Sequence, residues 1–319
     1  MNSKELVKSV IANRGWDRIP IYLFNKDIDR SDIISYNVPT AESFKPSNPN
    51  QSEWGYTWEH LDDTMGQPKE AVIKDWSQLD SYCPPDGKDP SRVRGLDEFI
   101  EKYRDKYIIA GFGITGFGIM TFIRGFENTL EDFYLERENL EKLADIVFGY
   151  EEDVIRQLVR KDIDAVAFYD DWGMQFTLMI DPKLWRDFFK ARYKRQFDLI
   201  HAAGKQVYFH SCGYVYDIIE DLIEIGVDVF NFNQPEVMGI DKLAKFRGKV
   251  CFNCPVDLQK VAIFSDKKGI EEYTDLLIRK LGTEKGGFIG YVEEYHSIGL
   301  SEQNYNYMVK ALREYKIKK

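Results

Sequence analysis

The segment His210-Ser211-Cys212-Gly213 places an imidazole and a thiol two residues apart at the end of a short apolar run, QVYFH. Side chains alternate along a strand, so residues two apart point the same way and can present a nitrogen and a thiolate to one ion. Both groups are zinc ligands, and Gly213 permits a tight exit from the strand. The pattern also fits a hydrogen-bonded barrel histidine beside a buried cysteine that acts as a small apolar residue.

A catalytic zinc site uses three protein ligands and leaves one position open. Glu293 and Glu294 follow directly after the apolar run GFIGY, so either carboxylate is a candidate for the third ligand. Cys254 is a reserve candidate, because it directly follows another apolar run, just before Pro255. Adjacent carboxylates at the end of a strand are equally typical of a solvated loop.

Two aspartates, Asp170 and Asp171, close the run AVAFY and are expected to face the same end of the sheet. We predict a catalytic role for Asp171, which would orient the substrate or give a proton to a leaving oxygen. We predict substrate contacts for Asp170 and Gln175, and for Asn233 and Tyr291 at comparable positions of later runs. An aspartate pair that caps a helix or fixes a turn explains the first two residues equally well.

Seven short apolar runs position these residues, and those from about residue 107 onward alternate with amphipathic helices. This alternation predicts a parallel sheet covered on its outer face, and seven recognisable strands favour a closed (β/α)8 TIM-type barrel. Barrel enzymes place their chemistry where the strands end, which is where the candidate residues lie. The predicted strands are residues 19–24, 107–110, 165–169, 206–210, 227–232, 250–253 and 287–291. The predicted helices are residues 129–161, 181–203, 216–226 and 269–281.

The length of 319 residues suits one barrel domain, residues 1–319. About the first 100 residues would hold the first strand and an N-terminal elaboration, and residues 33–94 show little periodicity and are predicted as inserted loops and helices.

Two further motifs fit known signatures less well. The segment GFGITG at 111–116 has the spacing of a dinucleotide-binding loop, but Gly118 and Gly125 interrupt the helix that should follow, which argues against a nucleotide site. Cys251 and Cys254 have C-x-x-C spacing, yet residues three apart on a strand face opposite sides. We expect a buried Cys251 and a Cys254 that faces the mouth of the barrel.

The net charge of -10 and the absence of a Lys/Arg block argue against a nucleic-acid partner and against an anionic membrane surface. A small molecule or another protein is the expected partner, and a homodimer is compatible with the sequence. No apolar signal or spanning segment is recognisable, so we expect a cytoplasmic protein whose four cysteines are reduced.

Several segments together resemble the uroporphyrinogen decarboxylase superfamily over nearly the whole chain, and most closely its cobalamin-dependent methyltransferases. They are EWGYTW at 53–58, GQP at 66–68, FYDDWGMQ at 168–175, HSCG at 210–213 and IGVDVFNFNQP at 225–235. The resemblance places the segment at 111–116 in a barrel loop. It also implies a zinc site made of His210, Cys212 and a cysteine after the last strand. In an ungapped comparison that cysteine falls on Glu294, which departs from the family pattern.

A carboxylate in place of a thiolate should keep zinc a better Lewis acid toward oxygen. The resemblance therefore implies transfer of a methyl group from an oxygen-bound donor, such as a methyl ether or a methoxylated aromatic compound, to the Co(I) corrinoid (cobalamin) of a partner protein. Zinc would stabilise the departing alkoxide or phenoxide.

Three other functions stay open. Methyl transfer from methylcobamide to a thiol would use the same zinc. The decarboxylases of the family carry an Arg-Gln-Ala-Gly-Arg segment after the first strand, where this chain has NKDIDR at 25–30. That difference makes the decarboxylation of a porphyrinogen a weaker interpretation. A non-catalytic barrel that serves as a binding surface is the third.

Overall fold

Eight parallel strands form one sheet in the computed structural model, which describes residues 1–60, 66–293 and 298–317. The strands are β1 (Ile21–Phe24), β2 (Ile33–Asn37), β3 (Tyr107–Ile114), β4 (Ala165–Tyr169), β5 (Gln206–His210), β6 (Val229–Asn231), β7 (Cys251–Cys254) and β8 (Phe288–Glu293). Their spatial order is β1-β8-β7-β6-β5-β4-β3-β2.

The two edges of the sheet, β1 and β2, approach each other and nearly close the ring. The amide of Asp32 donates to Ile21 O at 2.8 Å, and the amide of Leu23 donates to the Ser31 hydroxyl at 2.9 Å. The nearly closed ring of eight parallel strands with surrounding helices confirms the predicted (β/α)8 barrel.

The described helices lie before, between and after the strands along the chain. They are α1 (Ser3–Ile11), α2 (Leu96–Lys102), α3 (Gly116–Arg124), α4 (Phe126–Leu135), α5 (Arg137–Leu158), α6 (Pro182–Phe188), α7 (Lys190–Ala202), α8 (Tyr216–Ile225), α9 (Pro235–Met238), α10 (Ile240–Leu243), α11 (Val261–Phe264), α12 (Lys267–Leu281) and α13 (Glu302–Arg313). Two predicted helices are each divided, at Glu136 between α4 and α5 and at Phe189 between α6 and α7. At Glu136 the backbone leaves the helical region, with φ −135° and ψ 41°.

Two local predictions were wrong. Strand β2 lies in the segment that we predicted as loops, because only Ile33 and Ile34 of its five residues are buried and the apolar signal is too short. The strand forms because it pairs with β3, from Ile33 opposite Tyr107 to Asn37 opposite Gly111, although its own residues have a weak strand preference. The segment at 111–116 is not a loop either, since β3 extends to Ile114 and α3 begins at Gly116.

The core has an inner and an outer layer, as strand alternation requires. On β5, Tyr208 faces the barrel interior, whereas Val207 and Phe209 pack outward against the helices. Helix α1 joins the interior cluster through Leu6, Val7, Val10 and Ile11. Fully burying such an aliphatic side chain stabilises the fold by about 1.5–3 kcal/mol.

Residues 38–60 and 66–106, between β2 and β3, pack on the barrel helices. Arg92 is buried, forms an ion pair with Glu53 at 2.9 Å, and lies over the ring of Tyr150 in α5 at 5.0 Å. The amide of Val72 donates to Ile123 O in α3 at 2.8 Å. In the part of the chain that the structure describes, no helix is long and apolar enough to cross a membrane.

Candidate metal centre

Three side chains meet at the C-terminal ends of β4 and β5. Ligand atoms of Asp171, His210 and Cys212 all lie within 4.8 Å of one another. His210 Nε2 is 3.4 Å from Cys212 Sγ and 3.6 Å from Asp171 Oδ1. A nitrogen, a sulfur and an oxygen at this spacing fit the donor set of a zinc site with one open position. The structure thus brings together the predicted H-x-C pair and Asp171, for which we predicted a different, catalytic role.

A buried asparagine fixes the orientation of the imidazole. His210 Nδ1 lies 2.6 Å from Asn231 Oδ1, while Asn231 Nδ2 donates to Asn253 O at 2.9 Å. Because the amide oxygen can only accept, Nδ1 carries the proton and the lone pair of Nε2 points toward Cys212 and Asp171. Metal-bound histidines generally have such a partner on the other ring nitrogen.

The same hydrogen-bond chain continues across the barrel. Asn253 Oδ1 accepts from the Tyr208 hydroxyl at 2.7 Å, and Asn253 Nδ2 donates to Ile289 O at 3.2 Å. Sequence reasoning missed Asn231 and Asn253. The sequence does contain a signal for them, because each is an asparagine near the end of a short strand whose other residues are apolar or cysteine.

Two glycines let the loops after β4 and β5 touch. Gly213 has φ +72°, and a Cβ there would lie 2.3 Å from Gly173 O. A Cβ at Gly173 would lie 2.3 Å from Tyr214 N. The close approach brings the amide of Cys212 to Asp171 Oδ1 at 2.7 Å, which holds the carboxylate beside the thiol.

Burial, followed by the negative charge of Asp171, raises the pKa of the Cys212 thiol. In the metal-free protein this thiol stays protonated at neutral pH. A divalent cation between the three ligand atoms reverses that preference, because a coordinating thiol loses its proton.

The three ligand side chains line a cavity of about 1020 Å³. Most of its wall is apolar or aromatic. These wall residues are Tyr22, Phe24, Ile114, Phe117, Phe122, Phe126, Tyr169, Met179, Tyr208, Leu258, Ile263, Phe264, Tyr291 and Ile298. Two predicted substrate contacts, Asn233 and Tyr291, lie in this wall, whereas Gln175 is exposed outside it.

Glu293 is the carboxylate that β8 turns toward the cavity. Its side chain is half-buried and accepts a hydrogen bond from the Tyr291 hydroxyl at 2.5 Å. Glu294, our predicted third metal ligand, lies outside the described residues, so its role stays a prediction.

Asp170 occupies a different place from the one expected. Its side chain is fully buried under the start of α3, where it accepts hydrogen bonds from the amides of Phe117 and Gly118 at 2.9 Å and from the Tyr193 hydroxyl. Burial raises the pKa of this carboxyl well above its usual range. Asp170 does not line the cavity, because its neighbours Tyr169 and Asp171 face inward and strand alternation turns it away.

This arrangement explains the glycine-rich segment at 111–116. Helix α3 does start there, and the position that a phosphate takes in a dinucleotide site is held by the carboxylate of Asp170. A Cβ at Gly116 would lie 2.3 Å from Asp170 Oδ2, so the glycine is required by the buried carboxylate.

The expected orientation of Cys254 was wrong. Strand β7 continues through Cys254, so alternation sends Cys251 into the barrel interior and Cys254 outward against the helices. Both thiols are buried, and Cys254 is not part of the metal-ligand group.

The protein is a (β/α)8 barrel with its candidate ligand group at the C-terminal ends of the strands, where barrel enzymes carry their active sites. The family model of uroporphyrinogen decarboxylase (URO-D) matches residues 61–315, and the chain belongs to this family. No curated protein sequence matches it.

Among solved structures, a methyltransferase from Methanosarcina mazei superposes with a TM-score of 0.72, covering 98% of both chains at 11% identity. At that identity the likeness shows a shared fold. A B12-independent methionine synthase from Shewanella sp. W3-18-1 has a TM-score of 0.47 at 14% identity, covering 69% of this chain and 64% of the other. The 3-keto-D-glucoside 4-epimerase from E. coli has a TM-score of 0.45 at 13% identity, with 71% and 86% covered.

Proposed function

We propose that the protein is a zinc-dependent methyltransferase that moves a methyl group from an oxygen-bound donor to the Co(I) corrinoid of a partner protein. The observation that carries this proposal is the group formed by Asp171, His210 and Cys212, whose ligand atoms lie within 4.8 Å of one another at the wall of a large cavity. The family and the fold shared with a methyltransferase are consistent with it.

His210, Cys212 and a carboxylate would hold the zinc ion, and Asp171 is the carboxylate that the described residues offer. When bound, zinc supplies a Lewis acid that weakens the bond between methyl and oxygen. Asn231 keeps the Nε2 lone pair of His210 directed at the site. The methyl group leaves to the Co(I) acceptor, and the electron pair of the broken bond stays on the donor oxygen as an alkoxide or phenoxide, which then takes a proton.

The cavity fits a small-molecule donor. Its volume of about 1020 Å³ is at the upper end of the range for ligand pockets, and its wall is mainly aromatic and aliphatic. A methoxylated aromatic compound has the size and polarity for such a wall. The described part of the wall contains no lysine or arginine, which argues against the polycarboxylate substrate of a porphyrinogen decarboxylase.

The first test is the metal content of matched cysteine variants. We expect about one zinc per chain in the wild type and in Cys83→Ala, because Cys83 is exposed and is not part of the ligand group. We expect a loss of zinc in Cys212→Ala. Well under one zinc in the wild type, or full zinc in Cys212→Ala, would contradict the proposal.

The second test is the reaction. Zinc-loaded protein incubated with Co(I) cobalamin and methoxylated aromatics should form methylcobalamin, followed by its absorbance, and Cys212→Ala should not. Methylcobalamin consumed with a thiol, but none formed from any ether, would instead support the thiol methyltransferase.

A further inference from the structure

The charge of the cavity wall is one-sided. Its charged carboxylates are Asp171 and Glu293, and among the wall residues that the structure describes there is no lysine or arginine. A ligand with a carboxylate, sulfonate or phosphate would therefore lose its hydration without gaining a cationic partner from the wall. The wall selects against anions.

Glu293 lies beside a group of aromatic rings. The ring of Tyr291 is 5.5 Å from that of Tyr22 and 6.3 Å from that of Phe24, and all three rings line the cavity. Aromatic faces next to a carboxylate are the usual surroundings of a bound ammonium or quaternary ammonium group.

The charge balance of the loaded site leaves Glu293 unmatched. The two negative charges of Asp171 and of a Cys212 thiolate balance the two positive charges of a zinc ion, whereas Glu293 has a hydroxyl partner but no ion pair within the described residues. A half-buried carboxylate of this kind favours a cationic ligand group.

We propose that Glu293 and the adjacent rings of Tyr22, Phe24 and Tyr291 bind a positively charged group of the methyl donor, such as an alkylammonium or quaternary ammonium group. The donor is then a cationic methoxy compound, and anionic ones are rejected. The identification of this ligand as the methyl donor rests on the proposed function. The cation site itself concerns binding alone.

The experiment measures binding to the zinc-loaded protein by calorimetry, without cobalamin. The probes are para-methoxybenzyl trimethylammonium, its uncharged isostere with a quaternary carbon in place of nitrogen, and para-methoxybenzyl sulfonate. The quaternary nitrogen cannot coordinate zinc, so any difference in affinity between the cation and its isostere arises from contacts with the cavity wall. We expect the cation to bind about tenfold more tightly than the isostere, and the sulfonate to bind more weakly than both.

Matched variants assign the effect to Glu293. Glu293→Gln should remove the preference for the cation, whereas Glu220→Gln, the same change on the exposed face of α8, should preserve it. Zinc content is measured in each variant. Equal binding of the cation and the isostere, a preference that survives in Glu293→Gln, or loss of zinc from a folded Glu293→Gln would overturn the inference.

The two proposals fail separately. If the protein binds the cation selectively but forms no methylcobalamin from any ether, the cation site stands and the methyl-transfer function does not. If it methylates Co(I) from neutral ethers and shows no cation preference, the function stands and the cation site does not.

Discussion

Replacing Asn231 by alanine tests whether the buried amide prepares His210 for a metal. Asn231 is 2% exposed, and its Oδ1 lies 2.6 Å from His210 Nδ1. Without this acceptor the imidazole is free to rotate and to place its proton on Nε2, the atom that faces Cys212. Loss of such a partner typically lowers metal affinity 10–100-fold, which corresponds to about 1.4–2.7 kcal/mol.

The assay is competition for zinc with a chromophoric chelator, with unfolding by urea followed in parallel. Asn231→Asp keeps an acceptor for Nδ1 and should bind zinc nearly as tightly as the wild type. Asn304→Ala is the matched control, because Asn304 is a buried asparagine that donates to Ala262 O at 2.8 Å, outside the ligand group.

Both alanine variants lose buried hydrogen bonds and should lose about 1–3 kcal/mol of unfolding free energy. Only Asn231→Ala should also lose zinc affinity. Wild-type affinity in Asn231→Ala, or an equal loss in Asn304→Ala, would refute the reasoning that the amide orients the histidine.

Three further predictions concern other parts of the site and fold. Asp171→Asn should reduce zinc affinity more than Glu294→Gln does in the same chelator assay, because a carboxylate oxygen of Asp171 lies beside His210. The reverse ranking would favour Glu294 as the third ligand. Asp170→Asn should lower the unfolding free energy in urea by about 2–3 kcal/mol without removing zinc, because an amide group then faces two backbone N–H donors. An unchanged stability would contradict the role of Asp170 as the acceptor for the first amides of α3. Asp228 raises the pKa of His201 above its usual range, so the stability that this pair contributes is fully present below about pH 6 and is lost as the pH rises through the folded-state pKa. The stability difference between wild type and His201→Gln, measured from pH 5.5 to about pH 8.5, should therefore shrink toward high pH, and a constant difference would exclude the pair.

The sequence was informative where local pattern and tertiary structure agree. The runs at 165–169 and 206–210 are apolar on both faces, as buried parallel strands require, and both are strands with those bounds. The H-x-C spacing predicted a shared direction, and the 3.4 Å between His210 Nε2 and Cys212 Sγ follows from strand alternation.

The remaining features depend on contacts between distant segments. Strand β2 has two buried residues and is held by pairing with β3, so its own sequence carries little signal. Asp170 and Asp171 are chemically identical neighbours. Strand alternation turns Asp170 away from the cavity, and the start of α3, which is distant in sequence, covers its carboxylate. Asn231 became part of the site through its register opposite His210, which a single sequence does not reveal.

Helix α1 has a consequence for the biosynthesis of the chain. Its C-terminal end and the residues after it are hydrogen-bonded to the turn before β8. Gly287 N donates to Val10 O at 2.8 Å, and Gly15 N donates to Lys285 O at 2.8 Å. A Cβ at Gly286 would lie 2.5 Å from Val10 O, so the two segments meet at backbone distance. Helix α1 therefore cannot form these contacts until the turn before β8 has been synthesised, some 270 residues later and about 15–60 s at typical elongation rates. Until then the inner core is incomplete. Such long-range pairing makes late, cooperative folding the expected behaviour of this barrel.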